Sequence, residues 1–387
     1  MILLDFYFFQ IVKTVSGSAG PRTRSIIFIS YWMISILALV VLFILPLLNL
    51  DNYSRSVRST IFAIIIGLFL SKLIGSIFFL IDDIRRGVQW LAGKVFFKNT
   101  EGEQINSEGG ISRSIFLSWF GIAVSGGLFS SLLYGFSNKY NYKVKKLKLE
   151  YANLPSAFRG MKIVQISDVH SGSFANKDAV LKGVQKAMSL NPDLILFTGD
   201  LVNDRAVEMD NYLDVFNQLK APMGVYSILG NHDYGDYFWG KNPSGTDAIE
   251  KQKNLERLKQ LQADMGWKLL MDEHVILERN TEQIALIGIQ NWSALNRFPK
   301  YGNLPKAYAG TENIPFKILM SHDPTHWDAE VRPSFSDIDL TLSGHTHGFQ
   351  FGVEIPGFRW SPVQYVYRQW AGLYAEGAQK LYDQYSH

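Results

Sequence analysis

The stretch LSGHTHGFQ, residues 342–350, places two histidines in three residues, with a glycine on each side. The whole chain of 387 residues has only 8 histidines. An isolated pair of this kind is equally well explained by ordinary polar loop residues. In an extended segment, however, residues i and i+2 lie on the same side, so His345 and His347 could face one site together. Gly344 and Gly348 would let the backbone turn tightly beside them.

Four other apolar runs in the second half of the chain end in the same way. KIVQIS precedes Asp168 and His170, DLILFTG precedes Asp200, GVYSILG precedes Asn231, His232 and Asp233, and FKILMS precedes His322. In layered α/β proteins, ligands gather in the loops beyond the carboxyl ends of the strands. The stretches 177–190 and 247–266 between these runs have helical spacing. The pattern therefore predicts an α/β unit with one functional site at the strand ends.

The side chains at these strand ends have the chemistry of metal ligands. Carboxylate, amide and imidazole groups together suit Mn, Fe or Zn better than an all-oxygen calcium site. They outnumber the ligands that one tetrahedral ion needs. They suit two ions about 3.5 to 4 Å apart that share a carboxylate, an arrangement that binds phosphate oxygens and activates water. The chain has 0 cysteines, which excludes disulfides, thiolate metal sites and cysteine nucleophiles.

Charge and hydropathy divide the chain near its first third. Residues 1–140 carry 12 Lys and Arg against 7 Asp and Glu, whereas residues 141–387 carry 26 against 28. Apolar runs near 26–50, 60–81 and 114–138 are long enough to cross a bilayer as helices. A core helix is rarely apolar on every face over such a length. We therefore predict a helical transmembrane anchor followed by a catalytic domain over residues 141–387.

Two polar residues complicate the predicted anchor. The run at 1–12 is short and contains Asp5, so it is either a partial fourth span or a helix at the membrane interface. It lacks the basic leader and the cleavage site of a signal peptide. Lys72 lies inside the second span and could mark a functional polar site. We favour the interpretation that its side chain snorkels or lies between helices near a headgroup.

The loop charges give little information on orientation. If residues 1–12 cross the membrane, the loops on one side carry eight Lys and Arg and those on the other carry seven. Positive residues concentrate on the cytoplasmic side of membrane proteins. This small excess weakly favours a cytoplasmic loop at 82–113 and an extracytoplasmic catalytic domain.

Taken as a set, the motifs resemble those of the calcineurin-like metallophosphoesterases. The matching blocks are D-x-H at 168–170, G-D at 199–200, G-N-H-D at 230–233, the histidine of MSHDP at 322 and G-H-T-H at 344–347. The segment LP-x-x-F-x-G at 154–160 resembles the bacterial membrane-associated branch. Phe349 stands where many relatives have a second glycine. The resemblance implies a four-layer α/β fold, in which two β-sheets are sandwiched between helices, here preceded by an α-helical transmembrane region.

The resemblance also implies roles for the motif residues. One metal would be held by Asp168, His170 and His347, the other by Asn231, His322 and His345, and Asp200 would bridge them. His232 would lie beside the metals and protonate the departing oxygen or stabilise its charge. Asp233 would orient the His232 ring, although its carboxylate could instead cap the loop.

These expectations favour a membrane-anchored phosphohydrolase in which a hydroxide between two Mn, Fe or Zn ions attacks phosphorus. An anchor in the lipid bilayer favours a lipid-linked or membrane-proximal phosphoester or pyrophosphate as the substrate. A nuclease or cyclic-nucleotide phosphodiesterase would use the same motifs, but the charge balance of the second half predicts no nucleic acid partner. A transport or signalling module with an inactive regulatory domain is disfavoured by the complete ligand set.

The segment YGDYFWG, residues 234–240, directly follows G-N-H-D and is rich in aromatic residues. Tyr234, Tyr237, Phe238 and Trp239 could line a pocket for a lipid or sugar, or enter the membrane interface, where such rings are frequent. They could equally pack against residues 240–265.

Overall fold

A computed structural model describes residues 1–47, 55–96, 113–347, 352–355 and 358–384. The chain divides into two compact units, Met1–Lys139 and Tyr140–His387. We describe each unit by itself.

The first unit is helical. Its helices are α1 (Ile2–Val15), α2 (Pro21–Ile44), α3 (Arg55–Phe96) and α4 (Arg113–Ser137). Three segments are long and apolar enough to cross a membrane, namely Pro21–Ile44, Thr60–Gly93 and Ile115–Gly135. They coincide in large part with the predicted spans, although the second is longer than predicted. α1 has 14 residues, which is shorter than the about 20 that a membrane helix needs.

A buried polar cluster joins three helices of this unit. The Lys72 ammonium on α3 lies 2.5 Å from Asp5 Oδ1 on α1 and donates to Ser35 Oγ on α2 at 2.8 Å. The Tyr31 hydroxyl donates to the Asp5 backbone carbonyl at 2.8 Å. Lys72 does lie between helices, as one interpretation predicted. The snorkelling interpretation is wrong, because the ammonium is buried against a carboxylate instead of extending towards a headgroup.

The second unit contains two larger sheets and a hairpin. The strands of the first sheet are β1 (Ile163–Ile166), β2 (Leu194–Phe197), β3 (Val225–Ser227) and β4 (Lys268–Leu269), parallel and in that order. The chain continues with β5 (Glu273–Arg279), β6 (Glu282–Gly288), β7 (Lys317–Met320), β8 (Leu340–Ser343), the hairpin β9 (Val353–Ile355) and β10 (Phe358–Trp360), then β11 (Gly372–Glu376) and β12 (Gln379–Asp383). The order in the second sheet is β11-β12-β8-β7-β6-β5.

Helices connect and cover these strands. They are α5 (Lys177–Met188), α6 (Leu213–Phe216), α7 (Asp236–Trp239), α8 (Gly245–Asp264), α9 (Leu304–Tyr308) and α10 (Arg332–Ser334). The two predicted helical stretches appear as α5 and α8. Asn176 begins α5 as its N-cap, because its side chain accepts a hydrogen bond from the Ala179 amide at 3.0 Å.

Side-chain alternation along the strands builds four layers. Successive strand residues point to opposite faces. Leu196 of β2 therefore belongs to the core between the sheets, together with Met320 of β7, whereas Phe197 belongs to the core under the helices, together with Val184 of α5. On the second sheet, Leu319 belongs to a third core on the outer face. The predicted four-layer α/β fold is confirmed.

The topology brings the predicted strand ends together. β1 pairs in parallel with β2, β2 with β3, and β7 with β8. Parallel neighbours have their carboxyl ends at the same edge of a sheet. Because the sheets pack face to face, residues that follow these five strands can converge from both sheets.

Candidate active site

The seven predicted metal ligands lie together in two overlapping clusters. One consists of Asp168, His170, Asp200 and His347, and the other of Asp200, His322 and His345, with the potential ligand atoms of each within 4.8 Å of one another. Asn231 joins the second cluster, since its Oδ1 lies 3.2 Å from His322 Nε2. Asp200 is common to both clusters. The geometry thus groups the side chains in the way that the family resemblance implies.

Left-handed backbone positions these side chains. The φ angles are 53° at Asp168, 46° at His170, 59° at Asp200, 71° at His345 and 47° at His347. Residues other than glycine seldom adopt such angles, and strain of this kind concentrates at functional sites. His345 and His347 both face the site from one loop, as predicted, and each belongs to a different cluster. The extended backbone that was expected between them is wrong, because both residues are left-handed.

The glycines of the motifs make room for neighbouring atoms. A Cβ on Gly344 would lie 2.0 Å from Ser167 Oγ and 2.3 Å from Asp168 Oδ2. A Cβ on Gly199 would lie 2.7 Å from His322 Nδ1. Gly344 is therefore required for close approach of another chain segment, and it also begins the predicted tight turn, in which the Thr346 amide donates to the Gly344 carbonyl at 2.8 Å. Gly348 and Phe349, which the sequence also singles out, lie outside the described residues.

The ligand atoms fit metal ions. His322 Nδ1 lies 2.7 Å from the Thr198 carbonyl, and an N–H that donates there leaves Nε2 to face the cluster. Asp200 Oδ2 is buried and has no hydrogen-bond partner among the described residues, yet it lies 3.2 Å from His322 Nε2 and 3.5 Å from His170 Nε2. His170 Nε2 in turn lies 3.0 Å from His347 Nε2. A buried anionic oxygen that faces imidazole nitrogens suits a cation between them.

Asp200 and His322 stabilise each other's charged form. Burial disfavours both charges, but the nearby imidazoles, His322 foremost, hold the pKa of Asp200 well below its usual range. Despite burial, the Asp200 carboxylate raises the pKa of His322 to about 10. A proton on His322 thus supplies the positive charge that a metal ion would otherwise supply. By contrast, burial lowers the pKa of His345 to about 4, which keeps this imidazole neutral.

His232 lies next to the ligands. Its ring is edge-on to the His170 ring, with centroids 4.7 Å apart, and it stacks on Tyr237 at 4.5 Å. Nδ1 lies 2.7 Å from the Asn203 carbonyl. An N–H that donates to this carbonyl sets the tautomer, so Nε2 is the nitrogen that can exchange a proton.

Asp233 does not orient the His232 ring, and that prediction is wrong. Its carboxylate accepts hydrogen bonds of 2.8 to 3.2 Å from the backbone amides of Asp200, Leu201, Val202 and Gly230. These bonds fix the loop that carries the shared ligand Asp200. The alternative prediction, a loop cap, describes the observed contacts. Burial, together with the charge of Asp200, raises the pKa of Asp233 to about 7.

Two groups of supporting residues escaped the sequence analysis. Thr346 Oγ1, between the two histidines, lies 2.8 Å from the Trp370 carbonyl and 2.7 Å from Asp383 Oδ2. Since one hydroxyl has one proton, both contacts are satisfied when Asp383 is protonated and donates to Thr346. Burial raises the pKa of Asp383 well above its usual value, in agreement with this arrangement.

The second group surrounds His345. Its Nε2 lies 2.7 Å from the Tyr367 hydroxyl and 3.4 Å from Asp323 Oδ2. An imidazole N–H that faces these oxygens leaves Nδ1 as the nitrogen that can bind a metal. Asp323 directly follows the predicted ligand His322, so its position could have suggested it. Tyr367 has no local signal in the sequence.

Comparison with protein families agrees with this geometry. Residues 161–349 match the family described as "Calcineurin-like phosphoesterase", and residues 1–139 match "Probable Calcineurin-like phosphoesterase, transmembrane domain". The chain belongs to the calcineurin-like metallophosphoesterases. The predicted family resemblance is confirmed, and the transmembrane match adds that this metallophosphoesterase is a membrane protein.

Individual relatives carry related descriptions. A Danio rerio "Transmembrane protein with metallophosphoesterase domain" is 29% identical over 57% of this chain and 48% of its own length. The Bacillus subtilis "Uncharacterized metallophosphoesterase YkuE" is 27% identical over 70% of this chain and 89% of its own. The Chlamydia trachomatis "UDP-2,3-diacylglucosamine pyrophosphatase LpxG" is 29% identical over 53% of this chain and 70% of its own length. The chain spans about half the length of the first curated relatives it matches, 48% and 50%.

Proposed function

We propose that this metallophosphoesterase is a membrane-anchored hydrolase that uses two metal ions to cleave a phosphoester or pyrophosphate bond. The observation that carries the proposal is Asp200, whose buried carboxylate belongs to both ligand clusters and has an oxygen without a hydrogen-bond partner among the described residues. Two ions in these clusters would polarise phosphate oxygens and activate water.

The residues of the chain would divide the work between them. Asp168, His170 and His347 would hold one ion, Asn231, His322 and His345 the other, and Asp200 both. His232 would transfer a proton to the departing oxygen through Nε2, because the Asn203 carbonyl occupies Nδ1. Asp233 would act indirectly, by fixing the loop that carries Asp200.

The membrane anchor supports a substrate at the bilayer. A catalytic domain that is tethered by membrane helices meets lipid-phase molecules at high effective concentration. One relative, 29% identical, is named as a pyrophosphatase of a diacylated sugar nucleotide. We therefore propose a lipid-linked or membrane-proximal phosphoester or pyrophosphate as the substrate.

We further propose that the catalytic domain faces the extracytoplasmic side. The chain has 0 cysteines, so a single cysteine introduced at the exposed residue Lys253 can be labelled without background. A membrane-impermeant maleimide should label this cysteine in intact cells. Labelling only after the cells are lysed would place the domain in the cytoplasm.

The test of the activity is a substrate panel on the full chain, purified in detergent and loaded with Mn, Fe or Zn in turn. The panel contains a phosphomonoester, a phosphodiester, a lipid-linked pyrophosphate, a cyclic nucleotide and single-stranded DNA. We expect metal-dependent hydrolysis, with the lipid-linked pyrophosphate preferred. Hydrolysis restricted to DNA or the cyclic nucleotide would favour the nuclease or phosphodiesterase alternative. Metal binding without hydrolysis of any compound would favour a regulatory module.

A further inference from the structure

Three side chains that are not among the predicted ligands converge on the second metal cluster. They are Tyr237, Arg297 and Tyr367, and we name them the Arg297 cluster. Tyr237 follows β3, Arg297 lies in the loop after β6, and Tyr367 lies between β10 and β11. β6 is the parallel neighbour of β7, which leads to His322, so the Arg297 loop begins at the edge of the sheet where the ligands lie.

Tyr367 connects Arg297 to the metal ligands. Its hydroxyl oxygen lies 2.7 Å from His345 Nε2 and accepts a hydrogen bond from Arg297 Nη2 at 3.0 Å. When His345 donates from Nε2, the oxygen accepts two N–H groups. The hydroxyl proton of Tyr367 is then available for another acceptor.

Tyr237 also has a hydroxyl proton that is available for another acceptor, next to the predicted ligand Asn231 of the second metal cluster. Its hydroxyl oxygen accepts a hydrogen bond from Asn231 Nδ2 at 3.0 Å. That bond leaves the hydroxyl proton available. It also turns Asn231 Oδ1 towards His322, which is the orientation that a metal ligand requires. Stacking of the Tyr237 ring on His232 holds the hydroxyl in place.

Within the part of the chain that the structure describes, Arg297 is held in position while most of its N–H donors have no hydrogen-bond partner. Its guanidinium lies 4.7 Å from the Phe298 ring and 5.9 Å from the Tyr367 ring, and its backbone carbonyl accepts from Lys241 Nζ at 2.5 Å. Stacking on aromatic rings restrains a guanidinium without using its N–H groups. Tyr367 accepts from one of them, and the side chain is exposed to solvent.

Each tyrosine hydroxyl oxygen already accepts a hydrogen bond, from Arg297 in the case of Tyr367 and from Asn231 in the case of Tyr237. Each hydroxyl can therefore donate its own proton to a bound phosphate. The residues 141–387 carry 26 Lys and Arg against 28 Asp and Glu, so this concentration of donors and positive charge is local.

We propose that Tyr237, Arg297 and Tyr367 bind a second phosphate group of the substrate, next to the phosphate that faces the metal ligands. The inference rests on the proposed function and narrows it to compounds with two linked phosphates. Among the described residues, Arg297 is linked to the predicted ligands through the Tyr367 hydroxyl, so its guanidinium lies one hydrogen bond beyond them. A second phosphate linked to the first would lie next to the Arg297 guanidinium. A guanidinium binds phosphate through two parallel hydrogen bonds.

The test measures binding, which does not depend on turnover. Calorimetry on the manganese-loaded full chain compares methylenediphosphonate, a diphosphate analogue that cannot be hydrolysed, with orthophosphate. We expect Arg297→Gln to weaken binding of the diphosphonate about 10- to 100-fold, the range for hydrogen bonds to charged groups. The affinity for orthophosphate should fall by less than about threefold in the same variant. Tyr367→Phe should cause a smaller loss in the same direction.

The matched control is Arg257→Gln, which removes an exposed arginine that pairs with Asp210 at 2.6 Å. It should change neither affinity. Manganese content is measured for each variant and should remain unchanged in Arg297→Gln, because Arg297 touches no predicted ligand directly.

Other outcomes separate this inference from the proposed function. Equal losses for both ligands would overturn it, because Arg297 would then bind the reacting phosphate. No loss for either ligand, or no binding by the unmodified chain, would overturn it as well. If the diphosphonate binds through Arg297 but the panel shows no hydrolysis, the proposed function fails and this inference stands.

Discussion

Both units of this protein bury charged side chains, but they compensate the charges differently. In the membrane unit, the Lys72 ammonium has a carboxylate and a hydroxyl within 2.8 Å, all contributed by the same unit. In the catalytic unit, Asp200 Oδ2 lies among imidazole nitrogens and has no hydrogen-bond partner among the described residues. The first cluster needs nothing further to balance the lysine, whereas the second has an arrangement that a cation would complete.

The difference shows which features mark a functional site. A charged residue inside a membrane segment is commonly taken as a functional signal. Here that residue has its partner within the unit, on relaxed helical backbone. The catalytic unit instead holds five ligand residues in left-handed conformation, which costs free energy that the surrounding structure must offset. Asp5 Oδ2 is also buried without a hydrogen-bond partner among the described residues, so the strained backbone is the feature that distinguishes the catalytic site.

Replacing Asp200 tests the second half of this comparison most severely. Asp200→Asn removes the anionic ligand that both clusters share. We expect manganese content, measured by mass spectrometry, to fall below one ion per chain, and hydrolysis to fall by about 10 000-fold or more. Asp214→Asn is the control, because Asp214 forms an exposed ion pair with Lys177. Full metal content in Asp200→Asn would contradict a bridging role.

Replacing His232 separates chemistry from metal binding. His232→Asn should retain both ions, since the His232 ring is not part of either cluster. Loss of a proton donor should lower kcat about 100- to 1000-fold. Steady-state kinetics and metal analysis on one preparation measure both quantities. His274→Asn, a histidine that bonds the Ala307 carbonyl outside the site, should behave like the unmodified chain. Unchanged kcat in His232→Asn would exclude the proposed role.

Replacing Lys72 tests the membrane unit. Lys72→Met leaves the Asp5 carboxylate buried without its cation, which should lower the free energy of unfolding by about 3 to 5 kcal/mol. Thermal unfolding in detergent measures the loss. The double variant Asp5→Asn with Lys72→Met should recover most of it, because no buried charge remains. A double variant as unstable as the single one would show that the pair does not compensate itself.

The sequence predicted the parts of the structure that depend on local pattern. Five apolar runs ended in ligands because a buried strand requires apolar residues and its carboxyl end opens onto the site. The helical spacing of α5 and α8 was visible for the same reason. The ligands themselves could be named from the motif set.

Contacts between distant residues could not be predicted in this way. Asp5 and Lys72 are 67 positions apart, and Thr346 and Asp383 are 37 apart. An aspartate that caps a loop, such as Asp233, has the same local sequence as one that orients a histidine. The left-handed angles of His345 and His347 result from packing around the loop, for which H-T-H gives no separate signal.

The smallest expected effect is the pH dependence that follows from the protonation of His322. In the metal-free site Asp200 raises the pKa of His322 from 6.5 to about 10, so this imidazole is protonated at neutral pH. A raised pKa stabilises the folded state fully below pH 6.5, and this contribution is lost as the pH rises to about 10. The metal-free chain should therefore lose stability over that interval.

Metal binding should show the opposite dependence. The proton on His322 must leave before Nε2 can bind an ion, so affinity should rise by up to about tenfold per pH unit below pH 10. Calorimetric titration with Mn at pH 7, in buffers with different ionisation enthalpies, should show release of about one proton that is absent in His322→Gln. The buried polar cluster of Lys72, Asp5 and Ser35 provides the contrast, because its ammonium and carboxylate compensate each other. Lys72→Met should therefore leave the proton release on metal binding unchanged. Equal release from His322→Gln and the unmodified chain would show that the proton comes from another ligand.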